Sequence, residues 1–420
     1  MAIMPPSDHL RPVDPDARLR SADAVRGFAL FGVLLVNMFN FGAYSSEWTD
    51  SLDQTFNAAM HAVFETKSWR LFAMLFGFGF ELQLAKLESL GGGNLWFYFR
   101  RIAILFVIGV GHALFYDGDI LMEYALLGFI LPVFRRLAAG TLLTLTLLLM
   151  LAFPVGNVVD SLRGASAPVD ADASLSLAEL RDDHPYLGTL SDVFETNAEV
   201  IPPRLWNGLN EPESSFAIFA MILLGFQIGR SRLVHDAAEH TKKWRWILRW
   251  GMTTGLVFAA IEWYLGRYHG YAAFEGNTAS MGIRFLGDLL FLFGSTALSL
   301  AFGAGILLLA EQGKWDTVLS PLQSLGRMGL TIYLSGTLMF TLLFYGYGFG
   351  QLYLLGPLAT TAYAVLFFVI QIVFSSWWLR YFRFGPVEWI WRCLTYLQIQ
   401  PLRIPTLAAS PVSTEGRRRP

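Results

Sequence analysis

Long apolar runs recur along the chain, among them "TLLTLTLLLMLAFPV" and "YAVLFFVIQIVF". A helix of about 20 apolar residues crosses the hydrocarbon core of a bilayer. Inside that core every backbone N–H and C=O must find its partner within the protein, which restricts spanning segments to helices or a closed barrel. A membrane barrel needs short stretches that alternate in polarity, and these runs do not alternate. The expected class is therefore all-α, a polytopic helical membrane bundle. Composition agrees: of 420 residues 54% are hydrophobic and 15% charged, against about 25% charged in soluble domains.

Ten spans are expected, near 25–43, 69–87, 97–116, 119–137, 140–160, 214–231, 245–266, 284–311, 324–345 and 353–380. The segment 385–400, "GPVEWIWRCLTYLQIQ", is too interrupted to cross and is expected as an interfacial helix with its tryptophans at headgroup depth. Basic residues cluster in the N-terminal arm (Arg11, Arg18, Arg20), at Arg100 and Arg101, Arg135 and Arg136, Arg230 to Arg245, and in the tail through Arg417 to Arg419. Intervening loops carry Glu47, Asp50, Asp53, Asp117 and Asp119. The excess of Lys and Arg marks the cytoplasmic side, so both termini are expected there. The expected divisions are an arm over 1–24, a membrane domain over 25–403 with an external loop at 161–213, and a tail over 404–420. The first apolar run is too long for a signal h-region and is expected to stay as an anchor.

Several function classes drop out. A net charge of −2 offers nothing to nucleic acid. One cysteine, Cys393, excludes an internal disulfide or a cysteine metal site. No HExxH, CxxC or GxSxG occurs, and "GFGFE" at 77–81 lies inside a span, where it is no phosphate loop. Gly225/Gly229 and Gly251/Gly255 have the spacing of close helix contacts, and Gln227 and Gln371 read as hydrogen-bonding glue between helices.

The informative residues are polar groups within apolar runs. Arg20, Asp23 and Arg26 fall three apart, on one side of the first helical turns. Arg26 and Asn37 are eleven residues apart, about 16 Å along the axis with a net rotation of only about 20°. An amide in hydrocarbon needs a partner, so Asn37 is expected to face the bundle interior, with Asn40 one turn beyond. Arg101 and His112 repeat the eleven-residue spacing. His112 is the side chain suited to proton transfer near neutral pH, and Asp117 or Asp119 could orient it. A blander alternative is a buried histidine satisfied by a neighbouring helix. His61 is expected on an amphipathic outer segment, and Arg70, Glu81, Glu123, Glu262 and Asp288 are expected near helix ends.

The segments "RLRSADAVRGFALFGVLLVNMFNFG", "WRLFAMLFGFGFE", "GHALFYDGDILMEYALLGF", "LGRMGLTIYLSGTLMF" and "FGPVEWIWRCLTYLQIQPLR" resemble, in that order, the YeiB-like family of bacterial inner-membrane proteins, domain of unknown function 418. The resemblance reaches from the first span to about residue 403. It implies a multi-pass bacterial inner-membrane protein, distantly similar to transmembrane acyltransferases. One such branch, that of heparan-α-glucosaminide N-acetyltransferase, also reads R-x-x-D-x-x-R-G, matched here by Arg20, Asp23, Arg26 and Gly27. Another branch carries Arg, ten residues, then His, a His position that Asn37 holds here after Arg26. The essential His that the first branch keeps after its first span has no counterpart in "AYSSEWTDSLDQ".

Two functions are then expected in competition. In the first, acyl-CoA binds from the cytoplasm as a donor substrate, no cofactor being permanently held. Arg20, Asp23, Arg26, Arg101, Arg327 and Arg392 would form its phosphate site. His112 with Asp117 or Asp119 would deprotonate a small-molecule or glycan acceptor, and Asn37 would stabilise the developing oxyanion. In the second, the same polar stripe would conduct a small solute through a transporter. Both expect Arg26, Asn37 and His112 to border one tunnel.

Overall fold

The computed structural model describes residues 19–41, 48, 50–89, 95–162, 181, 184–210, 213–270 and 279–404. Arg11, Arg18, Glu47, most of the arm, the tail beyond 404 and much of the expected external loop lie outside the described residues. All regular structure among the described residues is helical, with a lone β-bridge between Phe382 and Arg403.

The chain runs through α1 (Arg20–Phe39), α2 (Ser51–Ala59), α3 (Lys67–Ser89), α4 (Leu95–Ala113), α5 (Leu121–Ile130), α6 (Ala139–Leu162) and α7 (Leu190–Asn210). It continues with α8 (Glu213–Arg230), α9 (Thr241–His269), α10 (Met281–Ala310), α11 (Asp316–Arg327), α12 (Gly329–Phe344), α13 (Pro357–Tyr381) and α14 (Pro386–Tyr396). Helix occupies each of the ten segments read as spans. Among the described residues five helices are long and apolar enough to cross a membrane: α1, α4, α6, α10 and α13, with α11 and α12 together making a sixth. In α3 and α9, residues such as Lys67, Arg70, Glu81 and Glu262 dilute the apolar run. Large apolar side chains lie exposed on α4, α6, α9 and α13, among them Val107, Leu148, Leu256 and Val373. That outward apolar coat suits lipid rather than water.

The expected single span at 324–345 is broken. Helices α11 and α12 meet at Met328 with an 85° bend. Met328 leaves the helical region at φ −111° and ψ 33°. The freed N–H groups of Leu330 and Thr331 donate to the Glu388 carboxylate at 2.7 and 3.0 Å, so a side chain from α14 caps the start of α12. The 385–400 segment is the short helix expected there.

Backbone contact at glycines sets the packing. A Cβ at Gly27 would overlap the Leu322 carbonyl oxygen, and one at Gly326 the Asp23 carbonyl oxygen, so α1 and α11 touch main chain to main chain. Gly225 and Gly229 bring α8 onto Met74 and Glu81 of α3, and Gly251 and Gly255 bring α9 onto Ala297 and Leu298 of α10, as their spacing implied. Gln371 Nε2 donates to Ile332 O at 2.9 Å and Gln227 Nε2 to Thr146 Oγ1 at 3.2 Å, the expected interhelical bonds.

Candidate functional site

Helix α4 ends at Ala113, and the turn that follows folds Asp119 back beneath it. His112 Nδ1 lies 2.6 Å from Asp119 Oδ1, and Nε2 lies 2.7 Å from Thr337 Oγ1 on α12. The other Asp119 oxygen accepts Met122 N–H at 2.7 Å, opening α5. With Nδ1–H donating to the carboxylate, a neutral ring presents its Nε2 lone pair to the threonine hydroxyl. His112, Asp119 and Thr337 are all buried. Helix α7 clamps the turn from above, with Arg204 donating to the carbonyl oxygens of Asp117 and Asp119 and Asn197 Nδ2 to Leu114 O at 3.0 Å. Of the two acids expected to orient His112, Asp119 does so. Asp117 is exposed and interacts with Tyr186 instead. His61 is exposed on the π turn after α2, beside Glu65.

A second centre forms at the break between α11 and α12. A cavity of about 220 Å³ is bordered by Arg26 of α1, Arg101 of α4, Arg327 of α11 and Arg392 of α14. Four of the six residues expected to bind a donor thus converge from four helices. Asp23 supports one of them: its carboxylate takes Arg26 Nη1 at 2.7 Å, while Arg26 also donates to Gly326 O at 3.2 Å. Arg20 is exposed and does not border the cavity, which corrects its expected place. Arg101 stacks on Trp391 at 3.8 Å and Arg392 on Phe384 at 4.2 Å, which fixes planar cations that would otherwise lose rotamer freedom on binding. One side of the wall is apolar, with Phe72, Phe76, Phe80, Ile102 and Leu105, while Gln83, Tyr333 and Glu388 add polar groups elsewhere. Guanidinium groups beside an apolar wall suit a ligand with an anionic head and an apolar part.

Glu388 borders the same cavity. It lies on α14, outside the membrane-crossing helices. Burial pushes its carboxyl above the ordinary range, opposed by hydrogen bonds from Thr331 and the backbone N–H groups. With the folded value raised, its stabilising contribution is complete below the ordinary glutamate range and declines as pH rises through the raised value. Glu388→Gln keeps the acceptor for both N–H groups and is expected to melt like the parent at pH 5. At pH 8 the variant is expected to be the more stable, which thermal melts in detergent at both pH values will check.

Among the described residues, Arg26 and Asn37 do not share one cavity as expected, and His112 borders neither of theirs. Asn37 borders a separate cavity of about 10 Å³, shared with Gly336, Thr337 and Gln371. His112 borders neither cavity and reaches the smaller one through Thr337. Tyr333 borders both. Its ring lies 5.0 Å from the His112 ring and its hydroxyl accepts Ile120 N–H at 3.3 Å. The two centres are therefore neighbours divided by one tyrosine. Thr337 and Tyr333 were not singled out in the sequence, since a threonine or tyrosine in an apolar helix carries no signal of its own, and Glu388 and Trp391 lay in a segment read only as interfacial.

The protein is thus an all-helical membrane-type bundle with a cationic cavity at a broken helix and a buried Asp–His–Thr chain beside it. Residues 228–398 match the family model described as "Protein of unknown function (DUF418)". An uncharacterised protein of Bacillus subtilis (strain 168), YxaH, is 30% identical, covering 94% of this chain and 98% of that one. The uncharacterised Escherichia coli (strain K12) protein YeiB is 30% identical over 89% of this chain and 95% of its own length. The chain belongs to the DUF418 family.

Proposed function

We propose that the protein is an acyltransferase of the bacterial inner membrane, crossing it ten times with both termini cytoplasmic. Acyl-CoA is the donor, and a hydroxyl or amine on the external side, in a small molecule or glycan, is the acceptor. The observation that carries this is the convergence of Arg26, Arg101, Arg327 and Arg392 on one cavity with an apolar wall. Guanidinium groups match phosphate oxygens with two parallel hydrogen bonds, so this face would hold the donor phosphates. Beyond Tyr333, the His112–Asp119 pair holds an imidazole ready to accept a proton from Thr337. The positive residues at helix ends support a cytoplasmic position for the arginine cavity.

Saturable binding of acetyl-CoA to purified protein tests this directly. Arg101→Gln and Arg392→Gln should each weaken binding by about 10- to 100-fold, the size of a lost charge-assisted hydrogen bond. Unchanged affinity in both would remove the phosphate site. The break between α11 and α12 favours a second function, a small-solute transporter, because broken helices form transport sites. Counterflow of unmodified solute in proteoliposomes, with no acetyl-CoA binding, would select it.

A further inference from the structure

We propose that Thr337 carries the acyl group covalently, so that transfer proceeds in two half-reactions through a threonyl ester. This rests on the acyltransferase function above and adds to it the group that first receives the acyl unit. Several threonines in other helices donate their hydroxyl to their own backbone. Thr146 and Thr296 each donate to a carbonyl one turn back at 2.8 Å, and Thr395 does so at 2.7 Å. Thr337 stands 3.5 Å from the corresponding Tyr333 carbonyl and 2.7 Å from His112 Nε2. Its hydroxyl is turned from its own helix toward a base, and the base is oriented by a carboxylate through its other nitrogen. Nucleophile, base and orienting acid in hydrogen-bonded sequence are the arrangement that activates a hydroxyl.

Two further observations give the hydroxyl work to do. Thr337 borders the small cavity, and so does Asn37, a hydrogen-bond donor for a carbonyl oxygen that becomes anionic. That cavity lies against Tyr333, the residue it shares with the arginine cavity. A donor anchored by its phosphates would thus present its acyl end past Tyr333 to Thr337.

In the first half-reaction Oγ1 attacks the thioester carbonyl as its proton moves to His112 Nε2. The C–O bond forms, the C–S bond breaks, and the departing thiolate takes that proton to leave as the free thiol. His112 is neutral again. In the second, the acceptor hydroxyl or amine attacks the ester carbonyl and gives its proton to Nε2. The C–Oγ1 bond breaks and Oγ1 recovers the proton from His112. Nothing is oxidised or reduced.

Full-length protein in lipid nanodiscs, given acetyl-CoA and isotopically labelled free CoA without acceptor, provides the test. The expected result is exchange of labelled CoA into acetyl-CoA, with acetyl recovered on the peptide containing Thr337. Thr337→Val should bind acetyl-CoA normally yet lose exchange by about a thousandfold or more, while Thr337→Ser retains both exchange and label. Saturable acetyl-CoA binding with neither exchange nor label on Thr337 overturns the ester and leaves the donor site standing. Exchange by Thr337→Val at the parent rate overturns it too. Absence of acetyl-CoA binding removes the acyltransferase function and the ester with it.

Discussion

Asparagine in place of Asp119 is expected to lower acyl transfer by about 10⁴-fold while leaving the bundle folded, the size of effect produced when the orienting acid of a Ser–His–Asp triad is amidated. The reason lies in the second carboxylate oxygen. It accepts Met122 N–H at 2.7 Å and must remain an acceptor for α5 to begin there. An asparagine amide therefore turns its oxygen to Met122 and its NH₂ toward His112 Nδ1. Nδ1 must then accept, the proton moves to Nε2, and the imidazole can no longer take one from Thr337. Asp119→Ala does different damage. It leaves Met122 N–H and an imidazole nitrogen buried without partners, at a cost of about 3–5 kcal/mol. Thermal melts and single-turnover release of CoA separate the two: Asn should lose the reaction and keep most stability, and Ala should lose both. Equal activity in Asp119→Asn and the parent would reduce His112 to a structural residue.

How far the sequence led depended on whether signal and partner lay on one helix. The eleven-residue spacings of Arg26 to Asn37 and Arg101 to His112 put polar groups on one side of each helix; Arg26, Asn37 and Arg101 border cavities and His112 is buried. Asp119 was within reach because it follows His112 by seven residues. Thr337 is 225 residues from His112, and no periodicity within "GLTIYLSGTLMFTLLF" separates it from Thr331 or Thr341. A stripe also says nothing about what stands across it. Arg26 and Asn37 do share a side of α1, yet Tyr333 from α12 divides the space in front of them into two cavities. The break at Met328 was hidden for a related reason. "LGRMGLTIY" is apolar enough to read through, and the break is held by Glu388, contributed from α14. The ten spans were read from apolar runs, whereas α3 and α9 carry enough charge to fall below a strict hydropathy test.

The contact between α1 and α11 is where substitution is expected to cost stability and donor binding together. Valine at Gly326 would drive its side chain into the Asp23 carbonyl, and backbone cannot yield as a flexible side chain can. The expected destabilisation is about 3 kcal/mol, the upper end of ordinary overpacking. It would fall on the site as well, because Gly326 O also receives Arg26 Nη1 at 3.2 Å. Moving α11 displaces Arg26 and Arg327 together, so donor binding should fall with stability. Two other glycines make the comparison strict. A Cβ at Gly329 would meet Arg26 Cδ at 3.1 Å and Leu30 Cδ1 at 3.8 Å, side-chain atoms able to shift, so Gly329→Ala should disturb donor affinity more than the melt. Gly79 borders the arginine cavity with no atom within 4 Å of a Cβ placed there. Inside α3, Gly79→Ala should raise stability by about 0.5–1 kcal/mol through the gain in helix propensity. Gly79→Leu would fill the cavity beside Phe76 and Phe80 and weaken acetyl-CoA binding in a protein that melts no earlier than the parent. A loss of affinity in Gly326→Val alone would trace to the fold; the same loss in Gly79→Leu can come only from the space the donor requires.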